Sequence, residues 1–287
     1  MNKLTLLTLS TLLASTSAYA VNGHYVPGIE GMKGASVPPP GTYYRGYAVH
    51  YDIDKLTTNQ GKSVPGKNTG KVTALASRFI HITEKKFLGA DYGFEAIVPV
   101  QRTSLDFKAA GIDSTESGVG DVFVGPVILA WHGQQWDSVF ATGLWFDTGS
   151  TAKPASPGLD YKTAMITLGG TYYFDTSKTW SLSAISRYEI NGDRKGLDQG
   201  DSWLVEWGAG KRLDNGLELG VIGYHGWQLE NNEKEKHNKK QRHALGLETG
   251  YFWPSIGFGV NAAYLSEYKT KNSTEGETFR LQFTKAF

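Results

Sequence analysis

Trp180-Ser181-Leu182-Ser183-Ala184-Ile185-Ser186-Arg187-Tyr188-Glu189-Ile190-Asn191 is the stretch on which the fold turns. One parity, Trp180, Leu182, Ala184, Ser186, Tyr188 and Ile190, is apolar with aromatic ends. The other, Ser181, Ser183, Arg187, Glu189 and Asn191, is polar except for Ile185. Successive side chains of a strand point to opposite faces, so this is a strand with one apolar and one wet face. Its length is about twice the 5 or 6 residues usual in soluble domains. The last stretch repeats the pattern, with Phe279, Leu281, Phe283 and Phe287 against Thr278, Arg280, Gln282 and Thr284. Lys285 alone sits on the apolar parity, tolerable near an interface. Trp203, Val205, Trp207 and Ala209 likewise oppose Ser202, Glu206 and Arg212.

Extending the same reading along the chain predicts strands at 42–55, 71–84, 88–102, 121–132, 137–149, 160–175, 179–191, 201–212, 216–229, 241–253, 256–268 and 276–287. The links at 84–87, 133–136, 175–178, 213–215 and 254–255 are short. Those at 56–70, 103–120, 150–159, 192–200, 230–240 and 269–275 are long. Short and long connections in strict alternation are what a transmembrane up-and-down barrel with periplasmic turns and extracellular loops produces. The predicted fold class is therefore all-β, a transmembrane antiparallel barrel of about 12 strands over residues 42–287. An even strand number puts both mature termini on the periplasmic side. Residues 1–20 begin with Lys3, continue through an apolar run and close with Ala18-Tyr19-Ala20, the order of a cleaved secretory signal. The predicted location is the bacterial outer membrane. Its lipids and lipopolysaccharide are expected neighbours.

Composition narrows the alternatives. With no Cys there is neither a disulfide scaffold nor a zinc-thiolate site. The balance of 29 basic and 28 acidic residues argues against a charge-driven nucleic-acid binder. A mean hydropathy of −0.34 argues against a multi-span helical membrane protein. Gly at 35 residues, with 8 Trp, 15 Tyr and 13 Phe, suits a barrel with small luminal side chains and aromatic girdles. The aromatic C-terminal strand ending at Phe287 is read as the signal for the outer-membrane barrel assembly machinery.

Two regions carry a family resemblance. The first runs Gly23-His24-Tyr25-Val26-Pro27-Gly28-Ile29-Glu30-Gly31 and then Val37-Pro38-Pro39-Pro40-Gly41-Thr42-Tyr43-Tyr44. The second comprises Gly118-Val119-Gly120-Asp121, Pro126 to Trp131-His132, and Leu168-Gly169-Gly170-Thr171-Tyr172. Over essentially the whole mature chain the sequence resembles the outer-membrane transporter family named for the meta-pathway of phenol degradation. It departs from the family at Asp147-Thr148-Gly149, where Pro-Thr-Gly is expected. The resemblance implies passive uptake of small hydrophobic or aromatic, phenol-like compounds.

Candidate functional residues follow from parity. His50, Asp52, Asp91, Glu95, Arg187, Glu189, Glu206, Arg212, Glu218, Arg242, Glu248 and Arg280 are expected to face the lumen, bracing the wall or lining a permeation route. Residues 21–41, rich in Gly and Pro, have little helix or strand tendency. They are expected to fold into the periplasmic mouth as a small plug, with His24, Tyr25 and Glu30 bonded to luminal residues. Catalytic motifs are lacking: there is no P-loop, dinucleotide fingerprint, His-Glu-x-x-His or Gly-x-Ser-x-Gly. Ser150-Thr151-Ala152-Lys153 satisfies Ser-x-x-Lys inside a predicted loop and is read as chance. No enzyme activity, cofactor or metal is expected. His237 and His243 are read as solvated. Lys234, Lys236, Lys239 and Lys240 belong to a hydrated loop that can meet lipopolysaccharide phosphates. A structural or surface-interaction barrel without transport is the alternative, and a lipid-acting outer-membrane enzyme the third reading.

Overall fold

The computed structural model describes residues 23–231 and 239–287. The predicted leader at 1–20 and the loop residues Lys234, Lys236 and His237 lie outside the described residues. In chain order the strands are β1 (Gly41–Leu56), β2 (Asn68–Phe87), β3 (Ala90–Phe107), β4 (Ile112–Val119), β5 (Val122–His132), β6 (Trp136–Phe146), β7 (Thr163–Tyr173) and β8 (Trp180–Asn191). They continue as β9 (Asp193–Arg194), β10 (Leu197–Asp198), β11 (Ser202–Arg212), β12 (Glu218–Gln228), β13 (Gln241–Trp253), β14 (Phe258–Lys271) and β15 (Thr274–Ala286). Each spanning strand pairs antiparallel with its neighbours. The β1–β15 and β1–β2 ladders, together with β2–β3, close the sheet. Twelve strands form the wall; β4 is an addition and β9–β10 a small separate hairpin. Closure leaves no open sheet edge at membrane depth among the described wall strands.

The outer face carries the apolar residues. Leu75, Phe79, Leu168, Leu182, Leu245, Leu247 and Phe279 are exposed along it, with Trp136, Tyr172, Trp180, Phe252 and Trp253 toward the short-turn end. Water could not tolerate this belt, and hydrocarbon solvates it. Leu247 lies midway along β13 and is 66% exposed. Leu247→Lys is expected to destabilise the barrel by about 2–4 kcal/mol, the range for a lysine at the bilayer midplane. Urea titration into and out of vesicles, read by heat-modifiable mobility, measures it.

One predicted loop is a strand. Residues 103–120 do not form an irregular connection: β3 continues to Phe107 and β4 folds back on it, pairing Val100 with Val119 and Phe107 with Ile112. β4 and β5 together run the length of β3, interrupted at Gly120 and Asp121. A bulge at Pro126 separates the Val124–Leu144 and Val127–Thr142 pairs of β5 and β6. Proline has no N–H for a ladder, so a bulge is where a wall strand can hold one.

Residues 23–40 enter the barrel rather than hanging from it. β1 starts at the short-turn end, beside the end of β15. From there the preceding residues pass Tyr173 and Glu218 and reach Thr163 and Asp121 at the long-loop end, where Gly23 and His24 lie. The expectation of a plug confined to the periplasmic mouth is thereby corrected: the segment runs the length of the lumen. Two left-handed glycines make its turns, Gly28 (φ 83) and Gly31 (φ 75). A Cβ at Gly31 would lie 2.0 Å from Glu248 Oε2, so both conformation and room require glycine.

Candidate functional site

The lumen holds a charged core built around this segment. Glu30 is 6% exposed. Its Oε1 accepts from Arg187 Nη2 at 2.7 Å and Arg78 Nη1 at 2.9 Å, and its Oε2 lies 3.5 Å from Arg45 Nη1. Arg78 also pairs with Glu95, and Glu30 N–H donates to Glu206 Oε2 at 3.0 Å. One carboxylate of the segment thus ties β1, β2 and β8 together, and its backbone adds β11. A second knot lies beside it: Arg280 donates to Glu248 Oε2 (2.6 Å) and to Gly28 O (2.8 Å), while Met32 N–H donates to Glu248 at 3.3 Å. Buried carboxylates and guanidiniums are tolerable only in such paired, hydrogen-bonded arrangements.

At the long-loop end the N–H groups of His24 and Tyr25 both donate to Glu189 Oε1 at 3.0 Å. The His24 ring bonds Thr163 Oγ1 (2.8 Å) and Asp121 Oδ2 (3.0 Å) and stacks on Trp145. Asp121 also accepts from Gly149 and Leu159 N–H, both at 2.8 Å. Burial pushes the Asp121 carboxyl up. His24 and the two N–H groups outweigh that and hold it below the usual aspartate range. It therefore stays ionised at neutral pH and fastens the long loop to His24. At the short-turn end Lys33 pairs with Glu218, and Ser36 Oγ meets Thr171 and Tyr173. The Arg187 guanidinium covers the Tyr25 ring at 4.0 Å.

Of the residues expected in the lumen, Glu95, Arg187, Glu189, Glu206, Arg242, Glu248 and Arg280 are buried there, and Asp91 is buried beside Lys86 near the short-turn end. Four placements are corrected. His50 and Asp52 lie on the outer parity of β1, paired with each other at 3.2 Å and with Thr73 and Lys71, because Tyr47, Val49, Tyr51 and Ile53 take the inner face. Arg212 is exposed at the end of β11 and donates to Ser177 O in a short turn. Glu218 sits at the mouth rather than in the lumen proper. Sequence reading missed Arg45, Arg78, Asp121 and Glu267. The last receives Arg242 Nε at 2.5 Å and the hydroxyls of Tyr51 and Tyr224. Alternation in β2, with Leu75 and Phe79 outward, was signal enough for Arg78. Phe287 is exposed and its N–H donates to Thr42 O at 3.0 Å.

The segment packs most closely against β11, β12 and β14. Met32 fills the space over Gly208, Gly210 and Gly220, and Gly28 rests on Tyr224 and Leu265. Toward β1–β3 and β5–β7 it leaves a cavity of about 140 Å³. Ile80, Ile97, Ile128, Val139, Met165 and Trp145 line it, together with Arg45, Arg78 and Glu30. Trp145 Nε1 and Arg45 Nε border it, buried and without a hydrogen-bond partner among the described residues.

A closed twelve-stranded barrel with an apolar outer belt and a charged, filled lumen has the architecture of an outer-membrane β-barrel. The profile of the family described as "Putative MetA-pathway of phenol degradation" matches residues 53–283, and the chain belongs to that family. Among solved structures it is similar to the COG4313 outer membrane channel from Pseudomonas putida F1, with TM-score 0.77 and 15% identity over 92% of this chain and 100% of that one. It is also similar to domains of two autotransporters. The Bordetella BrkA β-domain gives TM-score 0.50 and 15% identity over 87% of this chain and 100% of that one. The NalP domain from Neisseria meningitidis gives 0.51 and 12% over 88% and 91%. A direct sequence search of curated proteins finds no match.

Proposed function

We propose that the chain is an outer-membrane channel for passive entry of small hydrophobic or aromatic molecules, phenol-like ones among them. They pass between the luminal segment, acting as a plug, and the wall of β1–β3 and β5–β7. The cavity along that wall carries the reading. At about 140 Å³ it is close to the roughly 150 Å³ known to hold one benzene in an apolar site. Its aliphatic lining accepts a ring, and the unpartnered Trp145 Nε1–H can donate to a ring hydroxyl. The family's description, which refers to phenol degradation, supports the solute class. In this reading the long loops face the exterior and the short turns the periplasm. The strand ending at Phe287 is offered to the assembly machinery from the periplasmic side.

Uptake into vesicles with a lipopolysaccharide outer leaflet tests it. Wild-type protein is expected to speed phenol entry, and Met165→Trp, which fills the cavity, to slow it at least about ten-fold while heat-modifiable mobility stays native. Trp145→Phe should slow phenol more than toluene. Phenol entry at the protein-free rate would sink the reading and leave a structural barrel.

A further inference from the structure

A cluster stands on the outer wall, away from the lumen. On β12 and β13, directly paired, stand His225 and His243, with Lys269 of β14 paired to His243 in the next ladder. One step nearer the long loops, Trp203 stacks on Trp227 (5.1 Å between centroids), and Lys271 pairs with Gln241. His243 packs against Trp227 at 5.4 Å and Tyr268 at 6.2 Å. A register shift beside His243 leaves Tyr268 and Lys269 both exposed on the same face. Leu245 and Leu247 continue that face toward the middle of the wall, 49% and 66% exposed.

The hydrogen bonds within the cluster run in one direction. Trp207 Nε1–H, a donor only, gives to His225 Nε2 at 3.2 Å, so that nitrogen is unprotonated. The His225 proton is then on Nδ1 and is donated to His243 Nδ1 at 2.9 Å. His243 Nδ1 is therefore an acceptor, and its own proton sits on Nε2. The chain Trp207, His225, His243 thus ends on a donor that has no partner among the described residues, on a side chain only 8% exposed. Neither Lys269 nor Lys271 joins an ion pair among the described residues. An aligned donor, two cations and flanking aromatic rings, set above exposed leucines, together call for an anion attached to hydrocarbon.

We infer that His243, Lys269 and Lys271 hold a phosphate of a phosphorylated glycolipid in the outer leaflet, whose acyl chains lie over Leu245 and Leu247. The inference needs the long loops to face outward and is independent of what passes through the lumen. It places a lipopolysaccharide contact on the wall, distinct from the one expected of the loop lysines. Full-length protein in neutral-lipid nanodiscs, titrated with fluorescent diphosphorylated lipid A, tests it. Binding should weaken at least ten-fold in His243→Phe and in Lys269→Ala/Lys271→Ala. It should persist in His243→Gln, whose amide N–H replaces Nε2–H, and in Lys211→Ala at the opposite end of the wall. Dephosphorylated lipid A should bind wild type at least ten-fold more weakly. Equal affinity of wild type and both weakened variants, or of the two lipids, would overturn the site. Inorganic phosphate competing as well as lipid A would overturn the lipid as its occupant. Native heat-modifiable mobility of every variant separates these outcomes from misfolding.

Discussion

Replacing Glu30 with alanine is expected to lower the stability of the barrel by about 3–5 kcal/mol, the loss typical when one partner of a buried ion pair is removed, and to raise single-channel conductance several-fold. The carboxylate accepts from Arg187 and Arg78 at 2.7 and 2.9 Å and has Arg45 at 3.5 Å. Side-chain exposure is 4% for Arg187 and 3% for Glu30. Without it, Arg187 has its next carboxylate, Glu206, at 3.8 Å, and three guanidiniums repel across a low-dielectric space. The luminal segment loses its central tie while keeping those at Glu189 and Glu248, so it loosens rather than departs. Glu30→Gln keeps shape and an acceptor and should fall between wild type and alanine. Urea midpoints and planar-bilayer currents measure both effects. An alanine variant with the wild-type midpoint and conductance would show that the Arg cluster, not Glu30, positions the segment.

The barrel was legible because a lipid-facing strand has to alternate over its whole length and the two ends of a barrel sort their connections by size. β8, β11 and β15 display both signals. The same logic explains the missed hairpin. Beyond the hydrocarbon the outer face of a strand needs no apolar residues, so Ser104, Thr115, Arg102 and Ser117, paired across β3 and β4, read as loop residues. Hydrogen bonding carries that hairpin outward, and hydrogen bonding leaves no hydropathy trace.

The luminal residues were legible only where the inside is wet. In β8, β11, β13 and β15 the inner parity is charged, and Arg187, Glu189, Glu206, Arg242, Glu248 and Arg280 followed from it. β1 inverts the rule. Tyr51, Ile53 and Leu56 face inward and join Val64, Val72, Leu105 and Phe107 in an apolar cluster beneath the loops. The polar His50 and Asp52 are thereby turned outward. A lumen filled by its own chain has a core, and a core is apolar, so polarity alone no longer tells inside from outside. Which wall residues answer Glu30 depends on where a Gly/Pro-rich segment lies, and no periodicity encodes that.

The second large effect separates the luminal segment from the wall it fills. Gly208 faces inward on β11, and a Cβ built there would lie 2.6 Å from Met32 Cα, with Met32 C and O at 3.1 Å. All three nearest atoms belong to the segment and none to the barrel. Gly220 is less useful, since its Cβ would also meet Ala209 O at 2.5 Å. Valine suits a strand, so Gly208→Val leaves the ladder intact and collides with the backbone of Met32, which cannot rotate away. The segment must shift bodily, breaking the Met32 bond to Glu248 and the packing over Gly210. Conductance is expected to rise toward that of a variant lacking residues 22–38, and cells carrying either should become sensitive to bulky antibiotics that intact outer membranes exclude. Folding, read by heat-modifiable mobility, should be retained in Gly208→Val. If its conductance stays at the wild-type level while the deletion opens the pore, the segment accommodates valine by a local shift. If both stay at the wild-type level, residues 23–40 are not what limits the channel, and the constriction belongs to the wall and its long loops.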